Sequence, residues 1–243
     1  MRHHGPVQRK SSMKYDAVIF DLFGTLVPGM PPSAYESSLR ETASAAGVDP
    51  DEFISCWLDD EMAARRITGH YRSQADFIAD VCRRLGHTPD DGAVGRAADI
   101  RAEFVRKWLT PRADAVGVLK RLKEKGLKLG LMSVCSADTP PLWPETPLAP
   151  LFDAALLSCE VGLNKPDPRF YALACEKLSV LPGRCLYVGD GAGDELTGAL
   201  NAGMRAILIC APGEEEIVMA REDARNWRGP RIASLGEVPG LVK

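Results

Sequence analysis

Short apolar runs alternate with amphipathic segments along most of the chain. The apolar, β-rich runs lie at residues 17–20, 127–133, 155–158, 185–188 and 206–209. Because their hydrophobicity is nearly continuous, they are typical of strands that are covered on both faces. Helical patterns separate the later runs, at residues 114–125, 168–178 and 195–202. The repeated strand–helix–strand units predict an α/β fold, a doubly wound parallel sheet with right-handed crossovers.

One connection is much longer than the others and is helical throughout. It runs from Val27 to about Pro111, with predicted helices at residues 33–46, 50–67, 73–85 and 91–108. We interpret it as a smaller all-helical cap domain over the carboxyl ends of the strands, where open α/β sheets bind ligands. The predicted organisation is a flexible leader (1–14), a helical cap (28–110) and an α/β core (15–27 and 111–243).

Composition narrows the class of protein further. The 243 residues carry a net charge of −3, so the basic excess of a nucleic-acid or anionic-membrane binder is missing. No apolar run approaches the roughly 18 residues that span a bilayer. The seven cysteines are scattered and form no Cys-x-x-Cys pair, which favours free thiols in a reducing compartment. We expect a cytoplasmic monomer or homodimer that acts on a small molecule, without a nucleic-acid or membrane partner.

Two carboxylates follow strands of the predicted sheet. Asp21 comes directly after the first strand, and Asp190 follows the fourth after one glycine. Carboxyl ends of parallel strands meet at one edge, so we expect these acids on adjacent strands at the switch point of the sheet. Two neighbouring carboxylates need a cation between them, or one of them must be protonated. Oxygen ligands supplied by few protein groups suit Mg²⁺.

Two more polar groups lie at the same depth in the predicted fold. Ser133 ends the second strand, and Lys165 lies between the third strand and the next helix. With Asp21 and Asp190 they offer a nucleophile, a hydroxyl donor, a cation and a metal ligand. This combination predicts a phosphate site.

The four segments resemble, in chain order, the motifs of the haloacid dehalogenase superfamily. The matching segments are DLFGT at 21–25, the strand ending at Ser133, Lys165 with Pro-Asp-Pro, and Gly189-Asp190 followed by Asp194. The resemblance covers about residues 15–209, and the helical insertion stands in the place of the family's cap. Four ordered motifs on the expected elements are a specific signal, although each alone is weak.

The resemblance implies a Mg²⁺-dependent hydrolase, above all a phosphatase for a small phosphorylated metabolite. In such an enzyme Asp21 attacks phosphorus and becomes an aspartyl-phosphate. The resemblance also implies that Mg²⁺ is bound by the carboxylates of Asp21 and Asp190 and the backbone carbonyl of Phe23.

The same resemblance assigns the remaining groups of the site. The N–H of Gly24 and the hydroxyls of Thr25 and Ser133 are expected to hold phosphoryl oxygens. Lys165 is expected to neutralise the charge shared by nucleophile and phosphoryl group. Asp194 is expected to support the metal's waters or to orient Lys165.

Phe23 departs from the pattern of the family's phosphatases, which usually carry a second Asp at this position as general acid and base. A benzyl side chain cannot move protons, and such help contributes roughly 10²- to 10⁴-fold in rate. Three interpretations therefore stay open. In the first, a residue of the cap supplies the proton; the candidates are Asp59, Asp60, Glu61 and His70.

In the second interpretation, Asp21 attacks carbon as in a 2-haloacid dehalogenase. The family's dehalogenases resemble this chain in the aromatic residue at position 23, but they lack the acid that matches Asp190. In the third, the protein is a phospho-ligand-binding module with little turnover. Elsewhere in the cap, Arg65 and Arg66 could reach a substrate anion, but a solvated face is the stronger expectation.

Overall fold

Six parallel strands form one sheet in the order β3-β2-β1-β4-β5-β6. They are β1 (Ala17–Phe20), β2 (Lys128–Ser133), β3 (Ala154–Leu157), β4 (Cys185–Gly189), β5 (Arg205–Ile209) and β6 (Arg231–Ile232). The computed structural model describes residues 14–88 and 90–242, so the predicted leader lies outside the described residues except for Lys14. The chain winds from β1 to β3 on one side and from β4 to β6 on the other, which confirms the doubly wound fold.

Helices cover both faces of the sheet. They are α6 (Ala115–Glu124), α7 (Ser158–Val161), α8 (Pro168–Leu178), α9 (Glu195–Asn201), α10 (Glu215–Met219), α11 (Glu222–Asn226) and α12 (Val238–Leu241). Along β1, Val18 and Phe20 lie in the apolar core that includes α6 and α12. Ala17 and Ile19 lie in the opposite core with α8 and α9. This alternation buries β1 on both faces, which explains its unbroken apolar sequence.

The long insertion after β1 consists of five helices. They are α1 (Pro32–Ala46), α2 (Pro50–Leu58), α3 (Asp60–Ile67), α4 (Gln74–Arg84) and α5 (Asp91–Trp108). These helices enclose an apolar core of their own, centred on Phe53, Trp57 and Phe77. The insertion therefore buries these three aromatic side chains independently of the sheet.

Two features of the chain differ from the sequence-based predictions. The single helix expected over 50–67 is wrong: it is interrupted at Asp59, whose backbone is extended and whose carboxylate accepts hydrogen bonds from the N–H groups of Glu61 and Met62. An Asp that caps a helix start in this way ends the preceding helix. The second is β6, which was not predicted because two residues are too short for a pattern.

The register of the sheet determines where the strand ends meet. Phe20 of β1 pairs with Leu131 of β2 and Val188 of β4. The N–H of Asp21 donates to the carbonyl of Val188 at 3.0 Å, so Asp21 lies beside the end of β4. β1 and β4 are neighbours at the switch point, as predicted. None of the helices in the described part of the chain has both the length and the apolar composition needed to cross a membrane.

Candidate active site

A tight turn after β1 brings the chain against the end of β4. The carbonyl of Leu22 accepts hydrogen bonds from Thr25, Leu26 and Val27, which closes the turn. Gly24 has a φ of 85°, and a Cβ at this position would overlap Oδ2 of Asp190. Only glycine combines this backbone conformation with so close an approach. The turn therefore requires Gly24 for its shape.

Asp21 is buried and is paired with Lys165. Nζ of Lys165 donates to Oδ1 of Asp21 at 2.6 Å and to Oε2 of Glu195 at 2.6 Å. Burial raises the pKa of Asp21 to about 6; the charge of Lys165 opposes this rise and that of Glu195 adds to it. The other oxygen, Oδ2, is buried and accepts no hydrogen bond from the described residues. Asp21 thus has one oxygen held by a cation and one left for a ligand.

Glu195 orients Lys165, a role that the sequence analysis gave to Asp194. Glu195 is fully buried, and it accepts hydrogen bonds from the hydroxyl of Tyr187 at 2.7 Å and the N–H of Gly191 at 2.9 Å. Burial opposes its ionisation, but Lys165 and these donors bring its pKa below the ordinary value. Asp194 is exposed, with a left-handed φ of 54° just before α9. The prediction that Asp194 orients Lys165 is therefore corrected to Glu195.

A signal for Glu195 was present in the sequence. Glu195 lies on the same side of α9 as Ala199, four residues later, and both are fully buried. Asp194 precedes that helix and therefore does not share the buried face on which Glu195 and Ala199 lie. A carboxylate on the apolar face of a helix start marks a buried partner for a cation more strongly than one in the preceding turn.

Asp190 is fully buried and contacts an arginine that the sequence analysis did not identify. The guanidinium of Arg221 forms an ion pair with Oδ2 of Asp190 and donates to its carbonyl oxygen at 3.1 Å. The N–H of Ala192 donates to Oδ1 at 3.2 Å. Burial, together with the charges of Glu195 and Asp21, raises the pKa of Asp190 well above its ordinary value.

The donor set of these acids fits a divalent metal ion. One carboxylate oxygen from each of Asp21, Asp190 and Glu195 lies within 4.8 Å of the other two. Among the described residues, these three buried carboxylates pair with two cationic groups, Lys165 and Arg221, so the cluster favours a further positive charge. Carboxylate oxygens are the ligands that Mg²⁺ prefers. Arg221 contacts an oxygen that such an ion would use, so binding there requires this side chain to withdraw.

The three predicted donors to the phosphoryl group differ in whether they are free to bind a ligand. The hydroxyls of Thr25 and Ser133 are buried and have no hydrogen-bond partner among the described residues. The N–H of Gly24 instead donates to the carbonyl of Val27 at 3.0 Å. The prediction that this N–H holds a phosphoryl oxygen is contradicted, because closing the turn uses it. Two hydroxyls remain as donors for an anion.

Phe23 lies in the same turn, two residues after Asp21. Its ring is half-buried against the apolar core, and its backbone forms a bridge with Val27. The candidate replacement acids of the cap are all exposed. Asp59 caps α3, and Glu61 pairs with arginines of the cap surface. None of these contacts favours a cap carboxylate as the missing acid.

Fold and site together define a hydrolase with an acidic centre at the switch point of a doubly wound sheet. The chain belongs to the haloacid dehalogenase-like hydrolases, whose family model matches residues 15–203. It is 29% identical over 202 residues to a glyceraldehyde 3-phosphate phosphatase of Methanopyrus kandleri, covering 79% of this chain and 83% of that protein.

A relative named for a different reaction matches a longer stretch of the chain. The chain is 25% identical over 232 residues to (S)-2-haloacid dehalogenase 1 of Pseudomonas sp. strain CBS-3, covering 93% of this chain and 96% of that protein. The crystal structure of a 2-haloacid dehalogenase from Pseudomonas syringae pv. tomato DC3000 superimposes with a TM-score of 0.67 at 24% identity. It covers 93% of this chain and 97% of that one, a likeness that concerns the fold.

Proposed function

We propose that this hydrolase is a Mg²⁺-dependent phosphatase that acts on a small phosphorylated metabolite. The observation that carries the proposal is the excess of buried carboxylate over cation at the end of β1 and β4. Asp21, Asp190 and Glu195 face Lys165 and Arg221, and Oδ2 of Asp21 has no hydrogen-bond partner among the residues that the structure describes. A site that needs an added cation and presents a free carboxylate oxygen suits attack on a phosphoryl group.

In the proposed reaction, the carboxylate of Asp21 forms a bond to phosphorus as the bond to the leaving oxygen breaks. Lys165 neutralises the charge between two anionic reactants that otherwise repel each other. The hydroxyls of Thr25 and Ser133 donate to phosphoryl oxygens. Water then cleaves the aspartyl-phosphate and restores Asp21.

The metal ion would be held by the carboxylates of Asp21 and Asp190 and by the carbonyl of Phe23. When bound, it neutralises charge on the phosphoryl oxygens. We assign residues 28–110 to a cap and residues 15–27 with 111–243 to the catalytic core. Closure of the cap over the strand ends would exclude water from the attack on phosphorus.

A second candidate function is hydrolysis of the carbon–halogen bond in 2-haloacids. The aromatic residue at position 23 and the long match to a 2-haloacid dehalogenase favour it. In that reaction Asp21 attacks carbon, the halide leaves with the bonding electrons, and water cleaves the resulting ester. The buried carboxylate of Asp190 is the observation that weighs against it, because this reaction needs no metal ligand there.

One paired assay separates the functions. Phosphate release from phosphorylated metabolites and an aryl phosphate is measured with and without Mg²⁺, and halide release from 2-haloacids in parallel. The proposal expects Mg²⁺-dependent phosphate release that Asp21→Asn abolishes. Asp16→Asn is the matched control, because Asp16 is exposed at the other end of β1.

The other outcomes each support a different function. Metal-independent halide release without phosphate release would establish the dehalogenase. Mg²⁺-dependent binding of a phosphorylated ligand without turnover would establish a binding module. Either result would overturn the proposed phosphatase.

A further inference from the structure

A second group of charged side chains, with Arg101 and Asp138 buried and Arg66 half-buried, lies where the helical insertion meets the loop after β2. We define the arginine cluster as Arg66 of α3, Arg101 of α5, and Ser136 and Asp138 of the loop. Nη1 of Arg66 donates to Oγ of Ser136 at 3.2 Å, and Nη2 of Arg101 lies 3.7 Å from Oδ2 of Asp138. The cluster thus joins two helices of the insertion to the core.

Arg101 is almost completely buried. Its side chain is 4% exposed, and Nη1 donates to Oγ of Ser38 at 2.9 Å. Its guanidinium lies over the rings of Phe104 at 4.8 Å and Tyr35 at 5.1 Å. Nε is buried without a hydrogen-bond partner in the described part of the chain. Aromatic faces stabilise a cation only in part, so the buried charge of Arg101 is incompletely compensated.

Arg66 does not lie on the solvated face that its sequence position suggested. Its guanidinium donates to the hydroxyl of Tyr35 at 3.1 Å and lies 5.0 Å from the ring of Trp57. Nε is buried and unpartnered among the residues described. The neighbouring Arg65 takes the outer side and contacts Glu61 and His70. Consecutive helical residues point about 100° apart, which explains their different surroundings.

The arginine cluster has too little negative charge. Both guanidinium groups are permanently charged, whereas the carboxyl group that faces them among the described residues is that of Asp138. Burial raises the pKa of Asp138, and the two arginines oppose that rise. A net positive charge without a paired anion is costly in a buried position. An anion that binds here would meet two unpartnered N–H groups.

The loop that carries Ser136 also carries a predicted phosphoryl contact. Ser133, three residues earlier, has a buried hydroxyl that lacks a partner in the described residues. We call Asp21, Lys165, Asp190 and Glu195 the strand-end site. One short segment therefore presents a hydroxyl to the strand-end site and another to Arg66. The loop after β2 therefore links the arginine cluster to the end of β2 through a stretch of three residues.

We propose that Arg66 and Arg101 bind a second anionic group of the substrate. The preferred substrate is then a phosphomonoester that also carries a carboxylate or a second phosphate. Guanidinium groups recognise both through parallel N–H···O hydrogen bonds. This inference rests on the proposed phosphatase function and narrows its substrate class.

The test compares three esters that differ only at the end remote from the phosphate. They are propyl phosphate, 3-phosphonooxypropanoate and propane-1,3-diol bisphosphate. The wild-type protein is expected to have a kcat/KM about 10²-fold or more higher for one of the anionic esters than for propyl phosphate. The two anionic esters distinguish a carboxylate site from a second phosphate site.

Variants assign this preference to the arginines. Arg66→Met is expected to lower the preference for the anionic ester over propyl phosphate at least tenfold, mainly through KM. Arg66→Lys keeps the positive charge but loses the parallel N–H donors of the guanidinium. Its preference for the anionic ester should lie between those of wild type and Arg66→Met. Arg65→Met is the matched control on the same helix and should keep the wild-type preference. Arg101→Met is judged only after thermal unfolding shows that this more buried position still folds.

Two results would overturn the inference while leaving the phosphatase function intact. One is hydrolysis of all three esters without an anion preference. The other is an equal loss for every ester in Arg66→Met, which would make the cluster only a contact between the insertion and the core. If no ester is hydrolysed, the phosphatase function fails instead. In that case, calorimetry measures the affinity of the same esters for wild type and Arg66→Met. The anion site is supported if wild type binds an anionic ester more tightly than propyl phosphate and Arg66→Met does not, and it is overturned otherwise.

Discussion

The strand-end site and the arginine cluster are both buried, and their charges have opposite signs. At the strand ends, Asp21, Asp190 and Glu195 outnumber their two cationic partners. In the arginine cluster, two guanidinium groups face one carboxyl group, that of Asp138. The first site therefore favours a bound cation and the second a bound anion. A phosphorylated anion bound together with a metal ion would satisfy both.

The two sites also differ in how they are built. The three acids of the strand-end site directly follow the adjacent strands β1 and β4 or begin α9, so the sheet positions them. The arginine cluster requires α3, α5 and the loop after β2 to meet. A movement of the insertion would separate its members without disturbing the acids. This difference suits a core that performs the reaction and a cap that selects the substrate.

Removing Lys165 should give the largest effect, because it leaves two buried carboxylates without their shared cation. Lys165→Met is expected to abolish activity and to lower the free energy of unfolding by about 3–5 kcal/mol, measured in urea. Adding Glu195→Gln should recover part of that stability, since it removes one of the two charges. Lys123→Met, at a half-exposed ion pair, is the control. A loss below about 1 kcal/mol would contradict the charge balance described for the strand-end site.

Phe23→Asp should raise phosphatase activity, because it restores a proton donor in the turn after β1. A general acid contributes roughly 10²- to 10⁴-fold, so a gain of about 10²-fold is expected in phosphate release. Phe23→Leu is the control for the loss of the ring. If the Asp variant folds, binds Mg²⁺ and shows no gain, another residue already donates the proton or the substrate is not a phosphate.

Glu195→Gln should shift the pH dependence of activity. Asp21 must be ionised to attack, and its pKa of about 6 is raised by burial and further by the charge of Glu195. Removing that negative charge makes Asp21 easier to ionise, so the acidic limb of kcat/KM should move to lower pH. The ionisation of the substrate is the same for both proteins and cancels in the comparison. A shift to higher pH would mean that loss of Lys165 alignment dominates.

Asp59→Ala should give the smallest effect and should act on the insertion alone. Asp59 caps α3, the helix that carries Arg66, and loss of such a cap costs about 1 kcal/mol in urea unfolding. Mg²⁺ affinity should stay at the wild-type value, since the strand-end acids are untouched. Asp49→Ala, which removes the equivalent cap of α2, is the matched control. Reduced Mg²⁺ affinity would show that the two sites are coupled through the helices.

Sequence reasoning located the residues that follow strands, because strand ends are set by local pattern and parallel topology. Asp21, Ser133 and Asp190 could be placed at one edge of the sheet for that reason. Glu195 was missed in favour of Asp194, since adjacent acids at a helix start differ only in the face they occupy. The pairing of the Gly24 N–H with Val27 depends on turn closure, which no spacing rule predicts.

Contacts between distant segments of the chain could not be predicted from the sequence. Arg221, which lies 31 residues later between α10 and α11, reaches Asp190. Arg101 meets Asp138 only because the insertion folds back onto the loop after β2. Charged residues on amphipathic helices are usually solvated, so Arg66 carried no signal that distinguished it from Arg65. Tertiary packing alone determines that the guanidinium of Arg66, and not that of Arg65, contacts Tyr35 and Trp57.

The account depends most on the acids at the strand ends binding one divalent ion. Calorimetric titration of the purified protein with Mg²⁺ tests this directly, with Asp190→Asn and Asp16→Asn as a matched pair. We predict one bound ion in the wild-type protein, loss of binding in Asp190→Asn, and wild-type affinity in Asp16→Asn, because Asp16 is exposed at the other end of β1. Absence of binding to the wild-type protein, or equal binding to Asp190→Asn, would contradict the account.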